Sequence, residues 1–219
     1  MDWQAFYLSI KLSTYTVAIL LLLGLIIARW LAWRDFAGKG LVEGIVALPL
    51  VLPPTVLGYY MLVVLGRQSP LGMAIESITG QTLVFSFAGL VFASVVYSLP
   101  FAVQPMLRAF EAIPQTLREA AWCSGLTRWS TFWRVEMPLV KGGVFSAMAL
   151  SFAHTMGEFG VVLMVGGGIP GQTRTISIAI FDRVQSFDAE AAGLMSIVLL
   201  LFAFCTVSLV YVFGRDSQR

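Results

Sequence analysis

Of the 219 residues in this chain, 58% are hydrophobic and only 12% charged, whereas an ordinary soluble domain carries about 25% charged residues. That excludes a fully water-solvated surface, and with a mean hydropathy of +0.84 it demands an exterior that largely faces lipid. The net charge of +2 identifies no partner until it is mapped loop by loop, and no nucleic-acid partner is expected.

The apolar run from Leu12 to Ala28 begins just after Lys11, as a cleaved leader would. No small-x-small cleavage site follows it, and it runs instead into Arg29, Arg34 and Lys39, a stop-transfer pattern. The segment is expected to stay in the mature protein. Roughly 20 apolar residues cross a hydrocarbon core, and segments near that length lie at 8–30, 41–66, 82–107, 142–165 and 191–213. The expected fold is all-α, a single polytopic membrane domain over 1–219 with about five transmembrane helices.

Five spans put the chain ends on opposite faces, so Lys and Arg in alternate loops report orientation. One side holds Arg29, Arg34, Lys39, Arg108, Arg118, Arg128, Arg134, Lys141, Arg215 and Arg219. The other holds Lys11, Arg67, Arg174 and Arg183, a split of 10 against 4. The N-terminus is expected outside and the C-terminus inside. Cys123, in a polar loop, and Cys205, in an apolar run, then sit at different depths and read as free thiols.

The second span contains Pro49, Pro53, Pro54 and Gly58. Each proline lacks an N–H and clashes with the preceding turn. Two readings stay open: a kinked helix shaped for packing, or a distorted turn beside a translocation path, where Thr55 would supply a hydroxyl.

Residues 108–141 are the longest hydrophilic stretch, and Ile113, Leu117, Ala120 and Ala121 fall on one face of a helix predicted to begin near Pro114. Gly125 is expected to end or bend it, and Trp129, Phe132 and Trp133 then give an aromatic face suited to an interface. In the fourth span, His154 and Glu158 are the only ionisable residues, and their i,i+4 spacing puts them on one face. Intramembrane ionisable groups are functional hypotheses by default. One His and one Glu are too few for a metal site. A hydrogen-bonded structural pair and a gate or pore-lining pair both remain open.

Glu119-Ala120-Ala121, three residues, Gly125, nine residues, then Val135-Glu136-Met137-Pro138 resembles the EAA loop of ABC-importer permeases, whose pattern ends in Ile-x-Leu-Pro. The resemblance implies that Glu119, Ala120, Ala121, Gly125 and Pro138 form a coupling element docked on a cytoplasmic ATPase dimer. The charge count places this loop inside independently. No Gly-x-x-x-x-Gly-Lys-[Ser/Thr] sequence occurs in the chain, so no cofactor is expected in it, and ATP and Mg are expected on the partner. The chain is expected to be a transport subunit, not an enzyme.

Within that class, Pro49 to Tyr59, Gly157-Glu158-Phe159-Gly160 and Gly168-Ile169-Pro170-Gly171-Gln172-Thr173 look like the molybdate permease group. Gly168 departs from the Asn expected before Ile-Pro, and Gln172 stands where the group often has Glu. The resemblance implies a prokaryotic cytoplasmic membrane, a second permease copy completing a homodimer, and an extracytoplasmic oxyanion-binding protein delivering cargo at 67–81 and 166–190. It also makes Pro53, Pro54, Thr55, His154, Glu158 and Phe159 the pore or gate candidates. The alternatives are a sulfate or other oxyanion permease, and an ion-coupled carrier using His154 and Glu158; an odd number of spans does not divide into the two equal inverted repeats of many carriers. Arg174 and Arg183 read either as docking charges or as solvated ones.

Overall fold

The structure, a computed structural model, describes residues 1–216, with side chains as far as residue 208; Arg219 of the charge count lies outside the described residues. Three long helices form the centre: α1 (Trp3–Trp33), α5 (Phe87–Glu111) and α8 (Met137–Gly157). Asp2 starts α1 by accepting from the Ala5 N–H at 2.9 Å, and Ser86 starts α5 by accepting from Gly89 N–H at 3.1 Å. This cap explains why the third span begins at Phe87, not 82. The core between them is built from Ala28, Leu31, Val103, Met106, Phe110, Val140 and Ala147.

Lipid gives helices no hydrophobic reason to associate, so close packing has to supply the attraction. Gly143 supplies it between α5 and α8: a Cβ there would stand 2.5 Å from Ala109 Cβ. Pro100 and Pro105 both lie inside α5 without ending it.

The second span is two helices, α2 (Lys39–Val51) and α3 (Pro54–Leu65), bent by 110° at the break. A residue before proline is pushed out of the helical region. Leu52 before Pro53 and Pro53 before Pro54 are accordingly extended, at ψ 136° and ψ 135°. Pro54 then occupies the first turn of α3, where its missing N–H costs nothing. The simple kink is thereby replaced by a full interruption.

After α3 come α4 (Pro70–Thr79) and α5, then the short α6 (Gln115–Cys123) and α7 (Arg128–Thr131). α7 passes through a π turn, Phe132–Glu136, directly into α8, making an apolar rod from Arg128 to Gly157. Pro138 has no N–H to give and its ring crowds the helix behind it; the wider π turn, in which Met137 N–H reaches Phe132 O, absorbs the crowding. The non-helical part of the 108–141 loop is correspondingly short, because α5 persists to Glu111.

The fourth span also differs from the single helix expected over 142–165. Helix α8 stops at Gly157, and α9 (Gly160–Gly166) follows after a two-residue break and packs on α3, before α10 (Ile176–Gln185) and α11 (Ala189–Asp216). Glu158 at the break is extended, with ψ 132°. Among the described residues, four helices are long and apolar enough to cross a membrane, and five spans result if α2 and α3 count as one. Both cysteines are unpaired and exposed.

Candidate functional site

The two interruptions meet. They enclose an open cavity of about 580 Å³ lined by Pro54, Thr55, Tyr97, His154, Glu158 and Phe159 among others. Five of the six pore candidates are thus brought together, while Pro53 forms the turn behind the wall and is not part of the lining. No Lys or Arg lines this cavity.

Glu158 is 3% exposed, and a buried carboxylate has to be matched by donors. Ser94 Oγ donates to its Oε2 at 2.5 Å and Ser98 Oγ to its Oε1 at 2.7 Å. Because the single hydroxyl proton of Ser98 is spent on Glu158, the 2.9 Å contact between Ser98 Oγ and His154 Nδ1 has the imidazole as donor. His154 Nδ1 also lies 3.5 Å from Glu158 Oε1, and its ring stacks on Phe101 at 4.0 Å. Both open readings of the pair therefore meet in one geometry. The carboxylate is tied across the bundle to α5, and the imidazole reaches the cavity with Nε2 outside this network.

A second, smaller cavity of about 310 Å³ lies along the same face of α5, lined by Leu50, Pro100, Phe101, Gln104, Pro105 and Arg108. Tyr97, Phe101, Gln104 and Arg108 recur at helical spacing, so one stripe of α5 runs from the first cavity to the basic end of the helix.

The loop that resembles the EAA element divides into an outer and an inner side. Glu119 is exposed and held by Gln115 Nε2 at 2.8 Å, and Ala120 beside it is exposed as well. Ala121 is 8% exposed and packs on the chain itself. Ile113, expected on the helix face, is buried just before the helix begins, and Leu117 faces outward. Gly125, at φ +83°, ends α6. Its N–H reaches Trp122 O at 2.9 Å while Leu126 N–H reaches Ala121 O at 3.0 Å, a glycine-terminated Schellman cap. Trp129 and Trp133 are exposed and meet Phe132 edge-on or tilted. Pro138 sits exposed in the first turn of α8.

Sequence reasoning missed how five side chains pair: Ser94, Ser98, Glu136, Arg29 and Arg118. Ser94 and Ser98 carry an i,i+4 spacing on α5 that matches His154 and Glu158, which is the signal that would have paired them. Glu136 stands in the motif's variable position and is fully buried between Arg29 and Arg118. Arg118 thus points inward, not toward a partner. Burial pushes its guanidinium below the usual arginine value, with the Glu136 charge acting in the opposite direction. Far from this cluster in sequence, Arg174 pairs with Asp182 at 2.9 Å and Asp2 at 3.7 Å, and Arg183 with Asp188 at 3.1 Å, so these two cations are neutralised within the chain.

Residues 20–218 match the family described as binding-protein-dependent transport system inner membrane component. Similar curated proteins include a molybdenum transport system permease protein of Azotobacter vinelandii, 46% identical over 96% of this chain and 93% of its own. Its counterpart in Escherichia coli strain K12 is 36% identical over 95% of this chain and 91% of its own. A probable sulfate transport system permease protein of Chlorokybus atmophyticus is 33% identical over 97% of this chain and 75% of its own. Among solved structures, a bacterial alginate ABC transporter in complex with an alginate pentasaccharide-bound periplasmic protein superposes with a TM-score of 0.77 at 18% identity. The match covers 97% of this chain and 78% of that one, and it shares the fold. With the family pattern running through nearly the whole chain and the interrupted-helix bundle in agreement, the protein belongs to the inner membrane components of binding-protein-dependent transport systems.

Proposed function

We propose that this chain is the membrane-spanning subunit of an ATP-driven importer of molybdate, with tungstate as an equivalent cargo, and that two copies form the translocation path. The single observation that carries the reading is the meeting of two interrupted spans around a cavity that offers hydroxyl groups and, among the described residues, no Lys or Arg. A conduit has to release what it takes, so weak donors suit it better than a buried arginine would. Glu158 would repel a dianion if it faced the path, but Ser94 and Ser98 hold its oxygens against α5. Thr55 and Tyr97 are then the side-chain hydroxyls left to donate to an oxyanion, because an imidazole that donates from Nδ1 presents a lone pair at Nε2.

The open side of both cavities fits closure by a second copy, and the α5 stripe from Tyr97 to Arg108 gives the anion a route inward. The relatives named as molybdenum permeases support the cargo, since the first of them is more similar than the sulfate permeases are. Sulfate remains the second reading because one such relative is 33% identical over most of the chain. Selection belongs to a separate extracytoplasmic binding protein. ATP and Mg are held by a separate ATPase dimer that docks on the outer side of α6, at Glu119 and Ala120. In this reading the N-terminus lies outside, the C-terminus inside, and residues 1–219 act as one membrane domain.

The test is uptake of radiolabelled molybdate, tungstate and sulfate into vesicles that contain the chain, its ATPase and its binding protein. Uptake of molybdate that needs ATP and the binding protein is expected. Sulfate uptake alone would transfer the protein to the second reading. Uptake that persists without the ATPase and collapses with an ion gradient would make it a carrier.

A further inference from the structure

Glu136 closes the π turn, has no exposed side-chain surface, and receives two arginines from different parts of the chain. Arg29, near the end of α1, grips it as a fork, Nε to Oε2 at 2.6 Å and Nη2 to Oε1 at 3.2 Å. Arg118, from α6, gives Nε to Oε1 at 3.1 Å. Aromatic faces wall the cluster: Arg118 lies 3.7 Å over Trp33 and Arg29 lies 5.1 Å over Phe132. Planar, bidentate and stacked guanidinium contacts of this kind fix direction as well as distance.

The placement is what gives the cluster meaning. Helix α6 packs chiefly on α7 and the π turn, and its one ion pair to the rest of the chain among the described residues is Arg118 to Glu136. Glu136 in turn is the residue from which the rod of α8 begins, and that rod carries His154 and ends beside Glu158 at the cavity. A helix of 21 residues spans about 30 Å. A push on α6 therefore has a rigid route to the path, and Arg29 gives the same carboxylate a hold on α1.

We propose that Glu136 is the positioning residue through which movement of α6 reaches α8 and α1, the Arg29–Glu136–Arg118 cluster being the joint. The inference rests on the importer reading above. A purely structural ion pair would affect assembly and all activities alike, whereas a joint sets how much transport each hydrolysed ATP produces.

The experiment compares wild type with Glu136→Gln, Arg118→Glu and the swap Arg118→Glu/Glu136→Arg, each in vesicles with ATPase and binding protein. Assembled complex, ATP hydrolysis and molybdate uptake are measured together. Glu136→Gln is expected to lower molybdate moved per ATP by about tenfold, the scale of a typical coupling between sites, with hydrolysis per assembled complex retained. Arg118→Glu should do the same, and the swap should recover only part of the ratio, because it restores the pair between 118 and 136 but sets Arg29 against a second guanidinium. If Glu136→Gln fails to assemble, Arg29→Lys carries the test. It keeps the charge and loses the fork, and it should lower the ratio while assembly is kept. An unchanged ratio in the assembled variants, or uptake and hydrolysis falling in equal proportion, overturns the proposal. Should wild type move sulfate and not molybdate, the ratio is read on sulfate, so failure of the cargo reading is distinct from failure of the joint. A wild type with no ATP-dependent uptake at all defeats the importer reading.

Discussion

Gly160 and Pro54 lie so close that a Cβ added at the glycine would stand 2.9 Å from the proline Cβ. The interruptions of the second and fourth spans are thus in direct contact, and a rigid ring, not a flexible side chain, is what an added methyl would strike. Gly160→Ala is expected to destabilise by about 1–3 kcal/mol, the usual cost of overpacking, and to lower uptake. Gly157→Ala, at the last residue of α8, meets nothing within 4 Å and should leave stability unchanged. Thermal unfolding of the purified chain in detergent separates the two, and equal midpoints would show that the contact is not tight.

Ser98 serves Glu158 and His154 at once, and Ser94 serves Glu158 alone. Leaving a buried acceptor without its donor costs about 1–3 kcal/mol. Ser98→Ala is therefore expected to be more destabilising than Ser94→Ala, and its effect should not add to that of Glu158→Ala, because both remove the Ser98–Glu158 bond. Simple additivity in the double variant would count against the network.

Orientation can be read with the native thiols. Cys123 is exposed at the end of α6, and Cys205 is exposed on the apolar α11. A membrane-impermeant thiol reagent is expected to label Cys123 in inside-out vesicles and to spare it in right-side-out ones, with Cys123→Ser as the blank. Labelling of Cys123 from the outer face would invert the topology.

At Gly125 nothing lies within 4 Å of an added Cβ, so the demand is purely conformational. A non-glycine residue in the left-handed region costs roughly 1–2 kcal/mol, and asparagine is the tolerated exception at helix ends. Gly125→Ala should reduce transport per ATP with membrane insertion intact, while Gly125→Asn recovers part of it. Identical behaviour of the two would mean that the left-handed cap is not what the loop needs.

The features legible in the sequence were those encoded locally. Apolar length predicted the spans, Pro53 and Pro54 predicted the disturbance in the second, and Gly125 predicted the end of α6, because backbone stereochemistry acts within a few residues. The interruption at Glu158 was hidden, since Gly157 and Gly160 sit in a run that stays apolar to Val165, and hydropathy is blind to where a helix stops. The buried triad was hidden for another reason. Arg29 and Glu136 are 107 residues apart, and each alone looks like an ordinary charge at a membrane face. Ala121, which the resemblance assigns to the docked coupling element, is also buried against the chain itself, a contact no local pattern announces.

The π turn at Phe132–Glu136 absorbs one extra residue in an otherwise continuous rod. Each residue advances an α-helix by about 100°, so this turn sets the azimuth of everything after it relative to everything before. The outward Trp129 and Trp133 and the cavity-facing His154 belong to one rod but to differently clocked segments of it. A single-residue deletion between 132 and 136 would regularise the helix and leave His154 facing the cavity, whereas the same deletion between 139 and 153, with no π turn to absorb it, would swing the cavity end of the rod by about 100° relative to its start.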